Sequence, residues 1–402
     1  MSTPHVLVVN AGSSSLKYSL VDAATGATPG HGLVERIGES TGTLVHHGPE
    51  GETRIEGPVA DHEAAFQLAR DAFTDHGPQL SSYDVVAVGH RVVHGGERFS
   101  QPVLIDDDVL AAVRDLVPLA PLHNPANLEG IASARALFPD LPHVAIFDTA
   151  FHQTLPEHAY TYAVPRDWVG EHGIRRYGFH GTSFSFVAQA AADLLERPLT
   201  ELNLIVAHLG NGASVTAVRG GESVETSMGM TPLEGLVMGT RSGDVDPALH
   251  AHLHRELGWS LDEIDRILNR ESGLKGLAGE NDFREVLRLR DEGDAAAALA
   301  FDVYCHRLRK YVGAYYAVLG TVDAIVFTGG VGENAAPVRA ATLSGLERLG
   351  ISVDEQRNAE RSDQARSISP DPSTEGGTDV AVLVVPTDEE WEIARQSVAV
   401  SG

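Results

Sequence analysis

The chain has 402 residues, 43% of them hydrophobic and 21% charged, enough for two domains that each bury a core. A formal net charge of −26 argues against nucleic acid and an anionic membrane as partners. The single cysteine, Cys305, permits no internal disulfide and reads as a buried thiol in an apolar helical stretch.

Residues 1–5 carry no basic segment, and the apolar run 6–9 is too short for a signal core. No run approaches the ~20 residues that span a bilayer. The chain therefore reads as cytoplasmic. Residues 6–9 form a short buried strand, and an alternating strand returns over 16–21. Between them Gly12, Ser13 and Ser14 make a turn whose hydroxyls and N–H groups suit phosphate oxygens. Lys17, one of only three lysines, lies just past it. Taken alone, this segment is equally an ordinary hairpin with a polar tip.

A strand is expected over 42–46 and a helix over 61–76 with Asp61 as its cap. Residues 85–89 are a buried strand leading to Arg91, and helices follow near 107–116 and 125–138. The strand 143–147 delivers Asp148 at its carboxyl end, where open α/β sheets bind ligands. The hairpin then returns. Over 204–218, aligned without a gap, Gly210 falls on Gly12, Asn211 on Ser13 and Gly212 on Ser14. A repeat half a chain apart implies two related domains, each offering a phosphate-binding hairpin to a shared cleft. Helices are expected over 257–268 and 291–319. A third glycine cluster at 329–334 reads as a turn after an apolar strand. Residues 357–378 read as a polar surface segment, 380–385 as a last strand and 389–398 as a closing helix. None of the glycine clusters fits a P-loop. Two hairpins and a late strand-to-glycine loop are instead the arrangement of actin-like sugar and acyl kinases.

Phosphoryl transfer needs cations around the moving group, a carboxylate to organise a metal, and an oriented acceptor. Arg91 and Arg241 sit among glycines and small residues, where a planar guanidinium suits carboxylate or phosphoryl oxygens; a surface ion pair is the alternative. Asp148 reads as a helix cap, a metal-organising carboxylate or a general base. His180 lies between two glycines in an aromatic setting, and His123 and His208 are the next candidates among 19 histidines. No histidine pair has zinc-site spacing, so no structural zinc is expected. Glu389 and Glu390 open the last helix, where the helix dipole alone favours carboxylates.

Seven segments resemble the acetate kinase family: 10–17, 89–97, 147–152, 176–183, 208–214, 238–244 and 328–334, in family order over residues 6 to about 396. One such segment is weak, but seven in order are specific. The resemblance implies an α/β fold of two actin-like, ribonuclease H-like domains with an internal duplication and an interdomain cleft. Its boundaries would be 1–150, 151–385, and a terminal helix 386–402 returning to the first domain. It implies reversible Mg²⁺-dependent transfer of the ATP γ-phosphoryl to acetate, giving acetyl phosphate and ADP, with Mn²⁺ as a possible substitute, in a homodimer.

By matching motif position, Asn10 and Glu389 would bind the metal, and Asp148 would organise it or assist the acceptor. Arg91 would bind substrate, and His180 and Arg241 would stabilise the transition state. Nucleotide contacts would come from Lys17, from His208, Leu209, Gly210, Asn211 and Gly212, from Asp282, Phe283 and Arg284, and from Gly330, Val331, Gly332, Glu333 and Asn334. Val93, Leu122 and Pro232 would form the methyl pocket, and Val93 favours acetate over propionate.

Three departures stand out. Asp388 replaces the family's usual asparagine and reads as a cap. Phe184 stands where relatives often carry histidine. The stretch before Asp282 differs from the common pattern. The rival readings are a kinase for a longer acyl acceptor, a pyrophosphate-using variant, and an actin-fold scaffold that binds ATP structurally.

Overall fold

A computed structural model describes residues 3–370 and 379–402. The chain divides into two compact units, Met1–Gln153 with Asp388–Gly402, and Thr154–Thr387.

The first unit is built on an eight-stranded sheet: β1 (Pro4–Ala11), β2 (Ser15–Asp22), β3 (Gly30–Glu35), β4 (Gly42–Gly48), β5 (Gly51–Gly57), β6 (Asp84–Val92), β7 (Val103–Leu104) and β8 (His143–Phe147), in the order β5-β4-β3-β2-β1-β6-β8-β7. β1 pairs parallel with β6, and β6 with β8, while the other pairings are antiparallel. Both faces of β1 are covered, which is why its sequence is apolar throughout rather than alternating. Leu7 and Val9 pack on Phe66 and Phe73 of the helix His62–His76. Val6 and Val8 point the other way, into a cluster with Ile393 and Ala394 of the helix Glu389–Ser401. That last helix fits so closely that a Cβ on Gly89 would lie 2.8 Å from the Ile393 side chain.

The second unit holds β9 (Asn203–Leu209), β10 (Ala213–Arg219), β11 (Glu222–Thr226), β12 (Ala324–Thr328), β13 (Arg366–Ser367) and β14 (Ala381–Val384), ordered β11-β10-β9-β12-β14-β13. Strand by strand, this repeats β3-β2-β1-β6-β8-β7 of the first sheet, with the same parallel and antiparallel senses. The duplication read from the two hairpins is thus a duplication of six strands. The first hairpin closes past the pair Ala11–Leu16 on a four-residue turn, 12–15, and the second past Leu209–Ala213 on three residues, 210–212; Gly12 N–H donates to the Ser15 carbonyl and Gly210 N–H to the Gly212 carbonyl.

Several local expectations are corrected. Residues 257–268 are not one helix: Gly258, at φ 70°, ends the helix Ala248–Leu257, and Ser260 with Glu263 caps the next, Leu261–Arg270. Asp291 does not begin the long helix but ends Phe283–Asp291; Asp294 caps Ala295–Leu319. The glycines after β12 form a short helix, Gly329–Asn334, rather than an open turn. β3, β5 and β11 went unread. β5 is a polar, exposed edge with no apolar run to mark it. Of the polar segment 357–378, residues 371–378 lie outside the described residues. Asp61 does cap its helix, accepting the Ala64 N–H, and Cys305 is buried, its thiol pushed up to about 12 by desolvation.

Candidate active site

In the first unit the sheet brings an arginine and an aspartate from neighbouring strand ends onto one another. Arg91 lies inside β6, which runs on to Val92, and Asp148 follows β8. Their bond is bidentate: Arg91 Nε donates to Asp148 Oδ1 at 2.9 Å and Nη2 to Oδ2 at 2.7 Å. Asp148 is 2% exposed. Among the described residues its carboxylate oxygens bond Arg91 and cap no helix. Burial raises its carboxyl above the ordinary range despite Arg91, and the negative charge of Glu389 pushes the same way. Asp148 and Glu389 together raise Arg91. Glu389, at the start of the last helix, is thus electrostatically coupled to the pair.

Lys17 sits in β2 opposite Asn10 and forms an ion pair with Glu390, whose other oxygen accepts the Ser19 hydroxyl at 2.5 Å. Asp388 is the cap it was expected to be, accepting Trp391 N–H at 2.8 Å. The segment after β6 is pinned by residues the sequence did not single out. Asn127 accepts Val93 N–H at 3.0 Å and donates to the Ala11 carbonyl at 2.9 Å, joining Val93 to the end of β1. Leu122 is 51% exposed, so within this unit it lines no closed pocket.

In the second unit His180 has φ 59° at the N-terminus of the helix Gly181–Leu194. Left-handed backbone at a histidine costs of order 1–3 kcal/mol and clusters at functional sites. Its Nδ1 lies 2.8 Å from Ser214 Oγ, and its ring stacks on His208 at 4.4 Å. His208 Nδ1 is in turn 2.8 Å from Ser183 Oγ. Phe184 packs edge-on against the same His208 ring. Arg241 donates to the Pro232 carbonyl at 2.9 Å. A Cβ on Gly212 would lie 3.5 Å from both Arg241 Nη1 and His180 Nε2, which brings the hairpin turn against these two side chains. Among the described residues Arg241 pairs with no carboxylate, and desolvation alone lowers its pKa.

The hairpin turn opens onto a cavity of about 830 Å³. Three separate segments named from the sequence meet there: Gly210 and Asn211; Asp282, Phe283 and Arg284; and Gly330, Val331 and Asn334. The lining also includes Leu274, Asn281, Leu287, Ala335 and Arg361, none of which carries a local signal. His208, Leu209, Gly212, Gly332 and Glu333 do not line it. Glu333 instead accepts Gly329 N–H at 2.9 Å and Thr387 N–H at 3.3 Å, and the Gly332 carbonyl accepts from buried Arg339. Asp282 caps the helix Phe283–Asp291 and binds Arg284, so both charges are already paired.

No cluster of three or more His, Cys, Asp or Glu side chains poised for a metal occurs among the described residues. Asp148 and Glu389 are the carboxylates that act on Arg91, and Asn10 is the penultimate residue of β1. No described helix is long and apolar enough to cross a membrane.

The chain is similar to known proteins along nearly its whole length. The acetokinase family model matches residues 5–395. Acetate kinases of Streptomyces avermitilis and Corynebacterium efficiens are 59% and 53% identical, covering 100% and 97% of this chain and 98% of each relative. Among solved structures, acetate kinase of Porphyromonas gingivalis superposes with a TM-score of 0.94 at 42% identity, covering 100% of both chains. A propionate kinase of Francisella tularensis gives 0.92, also at 42%, covering 99% and 100%. The two duplicated α/β sheets are those of the actin-like fold, and with them the chain belongs to the acetokinase family.

Proposed function

We propose that this protein is an acetate kinase, transferring the γ-phosphoryl of ATP to acetate with Mg²⁺ and working as a cytoplasmic homodimer. The observation that carries the reading is Arg241: a half-buried guanidinium with no carboxylate partner among the described residues, beside His180 and a glycine turn that opens onto the 830 Å³ cavity. A cation held that way is short of an anion, and a phosphoryl group supplies one. The apolar walls Phe283, Leu287 and Val331 suit a nucleoside better than pyrophosphate.

In the reaction a carboxylate oxygen of acetate attacks the γ-phosphorus in line as the bond to the ADP oxygen breaks. No net proton is transferred. Arg91 would receive the acetate carboxylate, held in place by its two bonds to Asp148. Arg241 would offset charge on the equatorial oxygens. His180 would donate from Nε2 if the Ser214 hydroxyl donates to Nδ1. Two carboxylates and an amide fit a hard divalent cation, which commonly takes one or two carboxylates and fills its remaining positions with water and phosphate. When bound, Mg²⁺ would draw charge from the phosphates; Asn10 and Glu389 would hold it, and Asp148 would organise it.

Hydroxylamine trapping of acyl phosphate, with Mg²⁺-ATP and acetate, propionate or butyrate in parallel, tests the reading. The highest kcat/KM is expected with acetate. A preference for a longer acid would overturn the substrate assignment, and no product from any acid in folded, ATP-binding protein would favour the scaffold. Val93→Ala should raise propionate use relative to acetate by roughly 10- to 200-fold, the worth of a methylene in such a pocket; an unchanged ratio removes Val93 from the pocket. Arg361 has no hydrogen bond or ion pair among the described residues, unlike Arg284. Arg361→Gln should therefore raise the KM for ATP by about 3- to 10-fold through a lost cation–base contact, with kcat unchanged; an unaltered KM would put Arg361 outside nucleotide binding.

A further inference from the structure

Among the described residues no carboxylate holds Arg241; its guanidinium bonds the Pro232 carbonyl and the Met238 sulfur, and its backbone is placed by the loop that carries it. That loop is tied at its base. Gly235 N–H donates to Asp244 Oδ1 at 2.8 Å, and Asp244 N–H donates to the Gly235 carbonyl at 3.0 Å. Inside the tie, Met238 N–H donates to the Arg241 carbonyl at 3.1 Å. The closure is tight: Gly243 has φ 66°, and a Cβ there would lie 2.3 Å from the Leu236 carbonyl oxygen.

The tie is fixed from outside by one helix, Ala295–Leu319. The Tyr311 hydroxyl donates to Asp244 Oδ2 at 2.8 Å. Arg307, one turn earlier, donates to the carbonyls of Gly235 at 3.0 Å and Asp244 at 3.2 Å, with its guanidinium 3.5 Å from Asp244 Oδ2. Asp244 Oδ2 and the carbonyls of Gly235 and Asp244 are thus each met by a donor from a 25-residue helix whose apolar side is buried in the core. Burial and the Asp244 charge hold the Tyr311 hydroxyl protonated, so it remains a donor across the physiological range.

We propose that Asp244 and Tyr311 are positioning residues that set Arg241 for phosphoryl transfer. This rests on the reading of Arg241 given above. Neither side chain lines the 830 Å³ cavity. Their effect passes through the guanidinium, where a displacement of about 1 Å is worth up to 10²-fold in rate.

Three measurements on Tyr311→Phe and Asp244→Asn test it. Amide hydrogen exchange across 235–244 should speed up, while exchange across 329–334 stays as in wild type. The kcat should fall roughly tenfold, the usual worth of a hydrogen bond to a charged group, with the Kd for ADP unchanged by direct titration. In an Arg241→Lys background the Tyr311→Phe loss should shrink to under about twofold, because residues that act as a unit are not additive. Equal losses in both backgrounds, or faster exchange with unchanged kcat, would overturn the positioning role. Unchanged exchange in both variants would overturn the brace itself, and that measurement needs no turnover. Absence of acyl phosphate from wild type would instead remove the reading of Arg241.

Discussion

Arg241→Leu is expected to lose about 10²–10³-fold in kcat, the range found when one preorganised charge-stabilising donor is removed, while its thermal unfolding matches wild type. The separation of the two effects follows from what Arg241 touches. It donates to the Pro232 carbonyl and to Met238 sulfur, and among the described residues no carboxylate depends on it. Leucine leaves no buried charge uncompensated. Desolvation already disfavours the guanidinium where it stands and lowers its pKa, so the fold should tolerate a shorter apolar side chain there. Acyl phosphate trapping and a melting curve on the same sample decide the matter. Wild-type turnover in the variant would end the transition-state role, and a large loss of melting temperature would mean that Arg241 serves the fold instead.

The glycine hairpins were legible because both their chemistry and their spacing are local. Gly12 and Gly210 each sit between an apolar strand and an alternating one, although the strand registers differ by one residue, Ala11 pairing with Leu16 but Leu209 with Ala213. The Asp148 position was equally local, a polar residue ending an apolar run. Its partner was not. Nothing in the sequence near Arg91 says that β6 and β8 lie side by side with Arg91 opposite Ile146, and that register is what places Asp148 within reach. Asn127 and Arg361 escaped notice for the same reason. Each acts across a fold boundary, one from a helix onto β1, the other from the segment after Glu355–Ala359 onto the cavity. Lys17 shows the converse. A lone lysine beside a phosphate-like turn invites a phosphate, yet the fold supplies Glu390 from a helix that begins 372 residues later.

Arg91→Leu should behave differently from Arg241→Leu, although both replace a site arginine. Removing Arg91 leaves Asp148 buried, with Glu389 pressing on it and no cation beside it. Breaking a buried ion pair from one side costs roughly 3–5 kcal/mol, or on the order of 10 °C in melting temperature for a unit of this size. The variant should thus lose activity and stability together. Acidification should return part of the stability. The Asp148 carboxyl, already raised in the folded wild type, rises further without Arg91, so the folded variant binds a proton that the unfolded chain gives up near pH 4. Stability of the variant relative to wild type therefore falls as pH rises above that value and improves as pH is lowered toward it. Adding Asp148→Leu removes the stranded charge and should restore most of the melting temperature at neutral pH, with no return of acyl phosphate synthesis. Melting curves of the single and double variants between pH 5 and 8 test this directly. A single variant as stable as wild type at pH 8 would mean that the Arg91–Asp148 pair contributes nothing to the fold, and recovery of activity in the double variant would remove both residues from the chemistry.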